Sequence, residues 1–292
     1  MGWLDGRKNP RYLLLFLFTV ALSSLTPAAG AAPAPDYDNI VYTSPNGVDI
    51  TLDIYLPPAT LGDGPFPGLV VVHGGAFRQG SKEKWAADAD RASASGFVTY
   101  AIDYRLTCDP ANPPTGVDPS LCGYGATAPV SDVQAAIQWV RANASTYRTD
   151  GANVGVLGGS AGGNIAGMAG MSGNVGEDKA DVVASWSGEV KLPLRPLAPE
   201  IRYIGCKLSS CPSKWDLASP HFFVDPSDAP IYLANSTDEI IPLQEATDFR
   251  DLCAAAGIPV ELRILEGTRH ERAYKNDVWA ETMSFLHRHL DS

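Results

Sequence analysis

From Pro45 onward the chain alternates short apolar segments of strand character with longer segments of helical character, and few architectures accommodate that rhythm. Segments 39–43 and 48–56 read as two opening strands. They are followed by a strand at 68–73 (GLVVVH), a helix at 83–95, a strand at 97–103 (FVTYAID) and a helix from Pro129 to Ala144. A strand at 153–158 (NVGVLG), a helix from Ala161 to Met171 and a strand at 181–187 (DVVASWS) come next. Apolar strands separated by helices predict an α/β fold, with a mostly parallel central sheet and helices on both faces. Between Gly188 and Pro230 the rhythm stops. That stretch holds Pro, Cys and Trp without clear periodicity, and a small cap or lid is expected there. The alternation resumes with IYLAN (231–235), a helix from about Pro242 to Ala256, VELRIL (260–265) and a closing helix from about Asn276 to Leu290.

A length of 292 residues with 45% apolar side chains is enough for one large core and does not oblige a second domain. No block recurs at the periods of about 20 to 50 residues that mark solenoids and propellers. The N-terminus carries Arg7, Lys8 and Arg11, then the apolar run Leu13 to Leu25, then TPAAGAAPAP, the order of a secretory signal peptide. The apolar run is shorter than the roughly 20 residues of a membrane-spanning helix. Residues 1–31 are therefore expected to be removed, with cleavage near Ala29 to Ala32, leaving 32–292 as one secreted domain that is not held in a membrane. Loss of three basic groups and one acidic group takes the formal charge from −11 to −13. Nucleic acid and anionic membranes are repelled by such a surface, which favours a neutral or weakly polar small molecule as partner.

Export makes disulfides the expected state of the cysteines. Cys108 and Cys122 bracket a Pro/Gly-rich loop, and Cys206 and Cys211 bracket the turn KLSS, so these two pairs are expected to bond. Cys253 falls on the apolar face Phe249, Leu252, Cys253, Ala256 of a helix and is expected to be a buried free thiol. None of the spacings matches a zinc site, and no metal is expected.

Candidate chemistry gathers where the strand 153–158 meets the helix 161–171. There the chain reads Gly158-x-Ser160-x-Gly162, the pattern of a nucleophile elbow, which exposes a serine hydroxyl on a strained turn. An acyl-transfer site also needs hydrogen-bond donors aimed at the developing oxyanion. HGGAF (73–77) directly follows the strand at 68–73, so the backbone N–H groups of Gly74 and Gly75, with that of Ala161 after the nucleophile, are the expected oxyanion hole. Of the five histidines only His270 lies on the loop after the last strand, where the general base is required. The acid belongs just past IYLAN, where Asp238 and Glu239 stand side by side; by spacing the two are nearly equivalent.

The segments HGGAF, DYRL (103–106), GGSAGG (158–163), ASP (218–220), STDEIIP (236–242) and EGTRH (266–270) together resemble one branch of the α/β hydrolases. That branch holds the hormone-sensitive-lipase and feruloyl/acetyl-xylan esterase-like (BD-FAE-like) enzymes, and the resemblance runs from about Tyr42 to Leu290. Ala76 stands where the family often has a third glycine. The resemblance implies the α/β-hydrolase fold, a triad of Ser160, Asp238 and His270, ester hydrolysis through an acyl-enzyme without metal or cofactor, and short acyl, acetyl or feruloyl esters as substrates, free or linked to polysaccharide. Phe77, Trp85, Tyr104 and Trp186 flank the motifs and are candidate pocket residues, although aromatics at strand ends are more often core. Two other readings have sequence consequences of their own. A serine peptidase of this fold needs a propeller or large cap, for which there is no room, and a non-catalytic relative usually loses the serine or histidine, both of which are here.

Overall fold

The computed structural model describes residues 32–291; the expected signal peptide, 1–31, lies outside the described residues. Eight strands form one sheet: β1 (Tyr37–Thr43), β2 (Ile50–Tyr55), β3 (Phe66–Val72), β4 (Val98–Ile102), β5 (Thr149–Gly159), β6 (Val182–Trp186), β7 (Ile231–Ser236) and β8 (Val260–Leu265). Their spatial order is β1-β2-β4-β3-β5-β6-β7-β8. β1 and β2 are antiparallel to their neighbours, whereas β4, β3, β5, β6, β7 and β8 run parallel. The major helices are α1 (Ala86–Ser93), α2 (Thr127–Asn143), α3 (Ala161–Met171), α4 (Ala198–Ile204), α5 (Pro212–Asp216), α6 (Leu243–Ala255) and α7 (Lys275–Leu290). All eight expected strands are present, and the ends of most shift by one to four residues. The expected helix at 83–95 begins as a tight 3-10 turn at Lys82–Trp85 before α1.

Because successive strand residues point to opposite faces, β3 feeds two cores at once. Val70 and Val72 belong to one core cluster with Val133, Ile137 and Val140 of α2, and the same cluster extends to Phe249 and Cys253 of α6. Leu69 and Val71 join a second cluster with Trp186 of β6 and Val278, Trp279, Phe285 and Leu286 of α7. Both faces of the sheet are therefore dry, which is why its inner strands read as continuous apolar runs. Among the described residues no helix is long and apolar enough to cross a membrane.

Segment 188–230 carries α4, α5 and short 3-10 turns. It is tied to the body by Asn164 of α3, whose side-chain amide donates to the Glu189 carbonyl (2.6 Å) and the Ala218 carbonyl (3.1 Å). Beneath it lie three buried glutamates, Glu189, Glu200 and Glu245, of which the first two share the Arg195 guanidinium. Arg195 pairs with Glu200 at 2.5 Å and lies 3.8 Å from Glu189, while Glu245 accepts the Lys191 N–H at 3.0 Å. Burial first, then its acidic neighbours, push Glu189 well above the usual carboxyl range, and burial raises Glu245 to about 7.

Cys108–Cys122 and Cys206–Cys211 are bonded, with Cα separations of 4.7 and 6.3 Å, as the loop spacing leads one to expect. Cys253 is free and buried on α6, where desolvation pushes its thiol up to about 12. Peptide mapping without reduction is expected to recover these two linkages, and a thiol reagent should reach Cys253 only after unfolding; rapid labelling of the native protein would contradict its burial. A raised acid is held protonated by the fold, so it contributes stability that is complete below its unfolded value and is lost as pH rises through its folded value. Denaturation midpoints should therefore fall between pH 4.5 and about 7 as Glu245 ionises, and Glu245→Gln should flatten that fall. An unchanged pH dependence in this variant would contradict the assignment.

Candidate active site

β5 ends at Gly159 and α3 begins at Ala161, leaving Ser160 alone at the corner with φ 54° and ψ −125°. A side chain in this left-handed region is costly and persists only where the surroundings over-determine it. Two glycines make the corner possible. A Cβ at Gly158 would overlap the Gly162 carbonyl oxygen, and one at Gly162 would overlap the Val72 carbonyl oxygen. The corner is held by the Ser160 N–H, which donates to the Trp186 carbonyl at 2.8 Å, and by the Ser160 carbonyl, which accepts from Gly163 (2.8 Å) and Asn164 (3.1 Å). Ser160 retains 8% exposure at the N-terminus of α3, where the helix dipole favours negative charge.

The loop His73–Phe77 leaves β3 alongside this corner. Gly75, Ala76 and Phe77 are all left-handed, with φ of 133°, 53° and 60°. The loop is clamped from behind: the Tyr104 hydroxyl donates to the His73 carbonyl (2.6 Å), the two rings stack at 4.2 Å, and Phe77 stacks on Tyr203 at 3.8 Å. Burial lowers His73 to about 4, so its imidazole is neutral at physiological pH. The N–H groups of Gly74, Gly75 and Ala161 take part in no hydrogen bond among the described residues.

His270 follows β8 and directs Nδ1 at Glu239 Oε2. The Glu239 side chain is fully buried, and its other oxygen accepts the Ser236 N–H (2.8 Å) and the Ser187 hydroxyl (2.8 Å). Asp238, the expected acid, is exposed. Its carboxylate accepts the Thr237 hydroxyl (2.7 Å), and its N–H donates to the Gly267 carbonyl (2.9 Å). Glu239 thus occupies the position assigned to Asp238. The reason lies in the turn after β7, which is pinned to the β8 loop through Thr237 and Asp238, so that these neighbours diverge and only residue 239 turns inward.

Among the described residues no hydrogen bond joins Ser160 Oγ to His270; their loops meet one residue to either side. A Cβ on Gly159 would overlap Glu271 Cγ, so the residue before Ser160 packs on the residue after His270. Glu271 is itself left-handed (φ 52°), and burial raises its carboxyl against the lowering effect of His270 and Arg272. With Gly74, Gly75, Gln79, Lys84 and Arg272 it lines a polar cavity of about 170 Å³ beside the loop that leaves β3. Of the four candidate pocket aromatics, Trp85 lines this cavity and Tyr104 lines a second one of about 130 Å³ on the other side of His73, whereas Phe77 and Trp186 pack as core. Phe77, Tyr104 and Trp186 are fully buried and Trp85 is 2% exposed; Trp186 donates its indole N–H to Thr282 (3.1 Å). Ser187, Glu271 and Tyr274 carry no motif in the sequence; only their proximity to the Ser160 and His270 segments in three dimensions reveals them.

Residues 52–252, more than half of the chain, match the family model BD-FAE. Among characterised proteins, the chain is 32% identical over 119 residues to the esterase LipC of Mycobacterium tuberculosis, covering 40% of this chain and 26% of LipC. It is 34% identical over 132 residues to the carboxylesterase NlhH of the same species, covering 44% of this chain and 36% of NlhH. These matches span about a quarter to a third of the relatives' own lengths. Two solved structures share the fold: an esterase, Est2, of Thermogutta terrifontis (TM-score 0.69, 21% identity, 86% of this chain and 91% of that one), and a truncated carbohydrate esterase from gut microbiota (TM-score 0.69, 22% identity, 90% and 100%). The fold is that of the α/β hydrolases, and the chain belongs to the BD-FAE family.

Proposed function

We propose that the protein is a serine esterase in which Ser160, His270 and Glu239 form the catalytic triad and Gly74, Gly75 and Ala161 supply the oxyanion hole. The observation that carries this reading is the buried Glu239 carboxylate on His270 Nδ1, with the His270 loop packed against the nucleophile elbow. A carboxylate on Nδ1 fixes the tautomer that leaves Nε2 free as a base and stabilises the imidazolium formed later. Ser160 Oγ attacks the ester carbonyl while its proton passes to His270 Nε2. The oxyanion so created is met by backbone N–H groups that have no other partner and by the N-terminus of α3. Collapse expels the alcohol, which takes the proton from His270; water, activated by the same imidazole, then releases the acid and restores Ser160.

The esterase names of LipC, NlhH and Est2 support this reaction class for the present chain. Small esters of short acyl groups are the favoured substrates, and polysaccharide-linked acetyl or feruloyl esters suit the hydrogen-bonding groups around the cavity by the oxyanion loop. Secretion is part of the same reading. The leader-like composition of residues 1–31 and the two disulfides support it.

The reading is tested by turnover of 4-nitrophenyl acetate, followed by methyl ferulate and acetylated xylan. Ser160→Ala should abolish activity without unfolding the protein. Glu239→Gln should lower kcat by about 10⁴ on the precedent of the triad, whereas Asp238→Asn should lose less than about tenfold. The reverse order for the two acids would return the role to Asp238, and full activity of Ser160→Ala would remove the mechanism.

A further inference from the structure

Ser187 is the first residue after β6 and is fully buried, with a left-handed backbone (φ 50°) held by its own N–H, which donates to the Ala234 carbonyl at 2.7 Å. Three groups from two other parts of the chain meet at its Oγ: Glu239 Oε1 at 2.8 Å, the Tyr274 hydroxyl at 2.6 Å and the N–H of Glu271 at 2.9 Å. A serine hydroxyl has one proton to give and two positions at which to accept. A carboxylate only accepts and a backbone amide only donates, so the Ser187 proton goes to Glu239 and one lone pair takes the Glu271 N–H. The second lone pair remains for the phenol proton of Tyr274, which is shared with the Ala234 carbonyl at 2.8 Å. The hydroxyl is then saturated, and its direction is fixed by all three neighbours.

The geometry points to Ser187 as a positioning residue of the catalytic site: its hydroxyl aims Glu239 at His270 and pins the backbone immediately after His270. This rests on the triad reading given above. Glu239 has two hydrogen-bond donors besides His270, and the other is the Ser236 N–H at 2.8 Å, on the same turn as Glu239 itself. Ser187 is the donor that comes from a different strand. It ties the acid on the β7 loop to the base on the β8 loop through a single oxygen. Without it the carboxylate is free to rotate about its remaining donor, and the Glu271 amide loses its partner. The acid and base are then aligned only part of the time. Substrate binding, which uses the oxyanion loop and the cavity beside it, does not pass through Ser187.

Glycine adopts a φ of 50° without strain, so Ser187→Gly removes the hydroxyl and keeps the backbone. The test compares wild type, Ser187→Gly, Ser187→Ala and Tyr274→Phe in steady-state kinetics with 4-nitrophenyl acetate, together with the downfield proton resonance of the His270 imidazole N–H bonded to Glu239. For Ser187→Gly the expected result is a fall in kcat of about tenfold or more with KM changed less than about twofold, and a broadened or displaced resonance. Tyr274→Phe, which leaves the Ser187 proton on Glu239, should lose less than Ser187→Gly. Ser187→Ala serves as the second variant: matching Ser187→Gly in kcat assigns the loss to the hydroxyl. A folded Ser187→Gly with wild-type kcat and an unchanged resonance, while Ser160→Ala is inactive, overturns this proposal alone, as does a Tyr274→Phe that loses more than Ser187→Gly. An active Ser160→Ala overturns the triad reading instead.

Discussion

Everything in the site depends on how closely α3 can approach the ends of β3 and β5. The helix starts one residue after β5 ends, and the space between is closed by main-chain atoms: the carbonyl of Gly162 beside Gly158 and the carbonyl of Val72 beside Gly162. No side chain fits in either gap. The close approach forces Ser160 into the left-handed corner, lifts its hydroxyl toward the C-terminal edge of the sheet and brings it alongside the loop that follows β3. Strain at Ser160 is tolerated because the buried faces of a parallel sheet, dry on both sides, hold the surrounding backbone rigid.

The same edge gathers further left-handed residues. Ala76 and Phe77 shape the loop after β3, Ser187 receives the Glu239 carboxylate, and Glu271 follows His270. Each is fixed from outside itself: Phe77 by stacking on Tyr203, Ser187 by Glu239 and Tyr274, Glu271 by the Ser187 hydroxyl and the backbone of Gly159. Five of the eight left-handed non-glycine residues among those described, Ala76, Phe77, Ser160, Ser187 and Glu271, thus lie on loops that converge on Ser160 and His270, and the last four are each held by contacts from another part of the chain. The proposed catalysis requires such preorganisation, in which donors and charges stand ready before the substrate arrives.

Much of this was legible in the sequence because it follows from periodicity and glycine. Eight strands, their parallel character, the elbow around Ser160, the turn at Gly74 and Gly75 and the histidine after β8 each leave a local pattern. The acid does not. Asp238 and Glu239 are adjacent, and the choice between them is made by the pairing of Thr237 and Asp238 with the β8 loop, a contact between segments some 30 residues apart. Ser187 and Tyr274 were hidden for the same reason, since a serine after a strand and a tyrosine before a helix are unremarkable until the sheet brings them together. The aromatics flanking the motifs illustrate the opposite error. Phe77 and Trp186 stand beside the motifs in sequence, yet they support the loops from the core.

Covalent capture tests most directly whether the corner at residue 160 presents an activated nucleophile. The purified protein is treated with a fluorophosphonate at neutral pH, and the adduct is located by mass spectrometry of its peptides. A single phosphonyl group is expected, on Ser160, formed rapidly in the folded protein and abolished by prior denaturation. A folded protein that remains unlabelled, or one labelled at another serine, would contradict it.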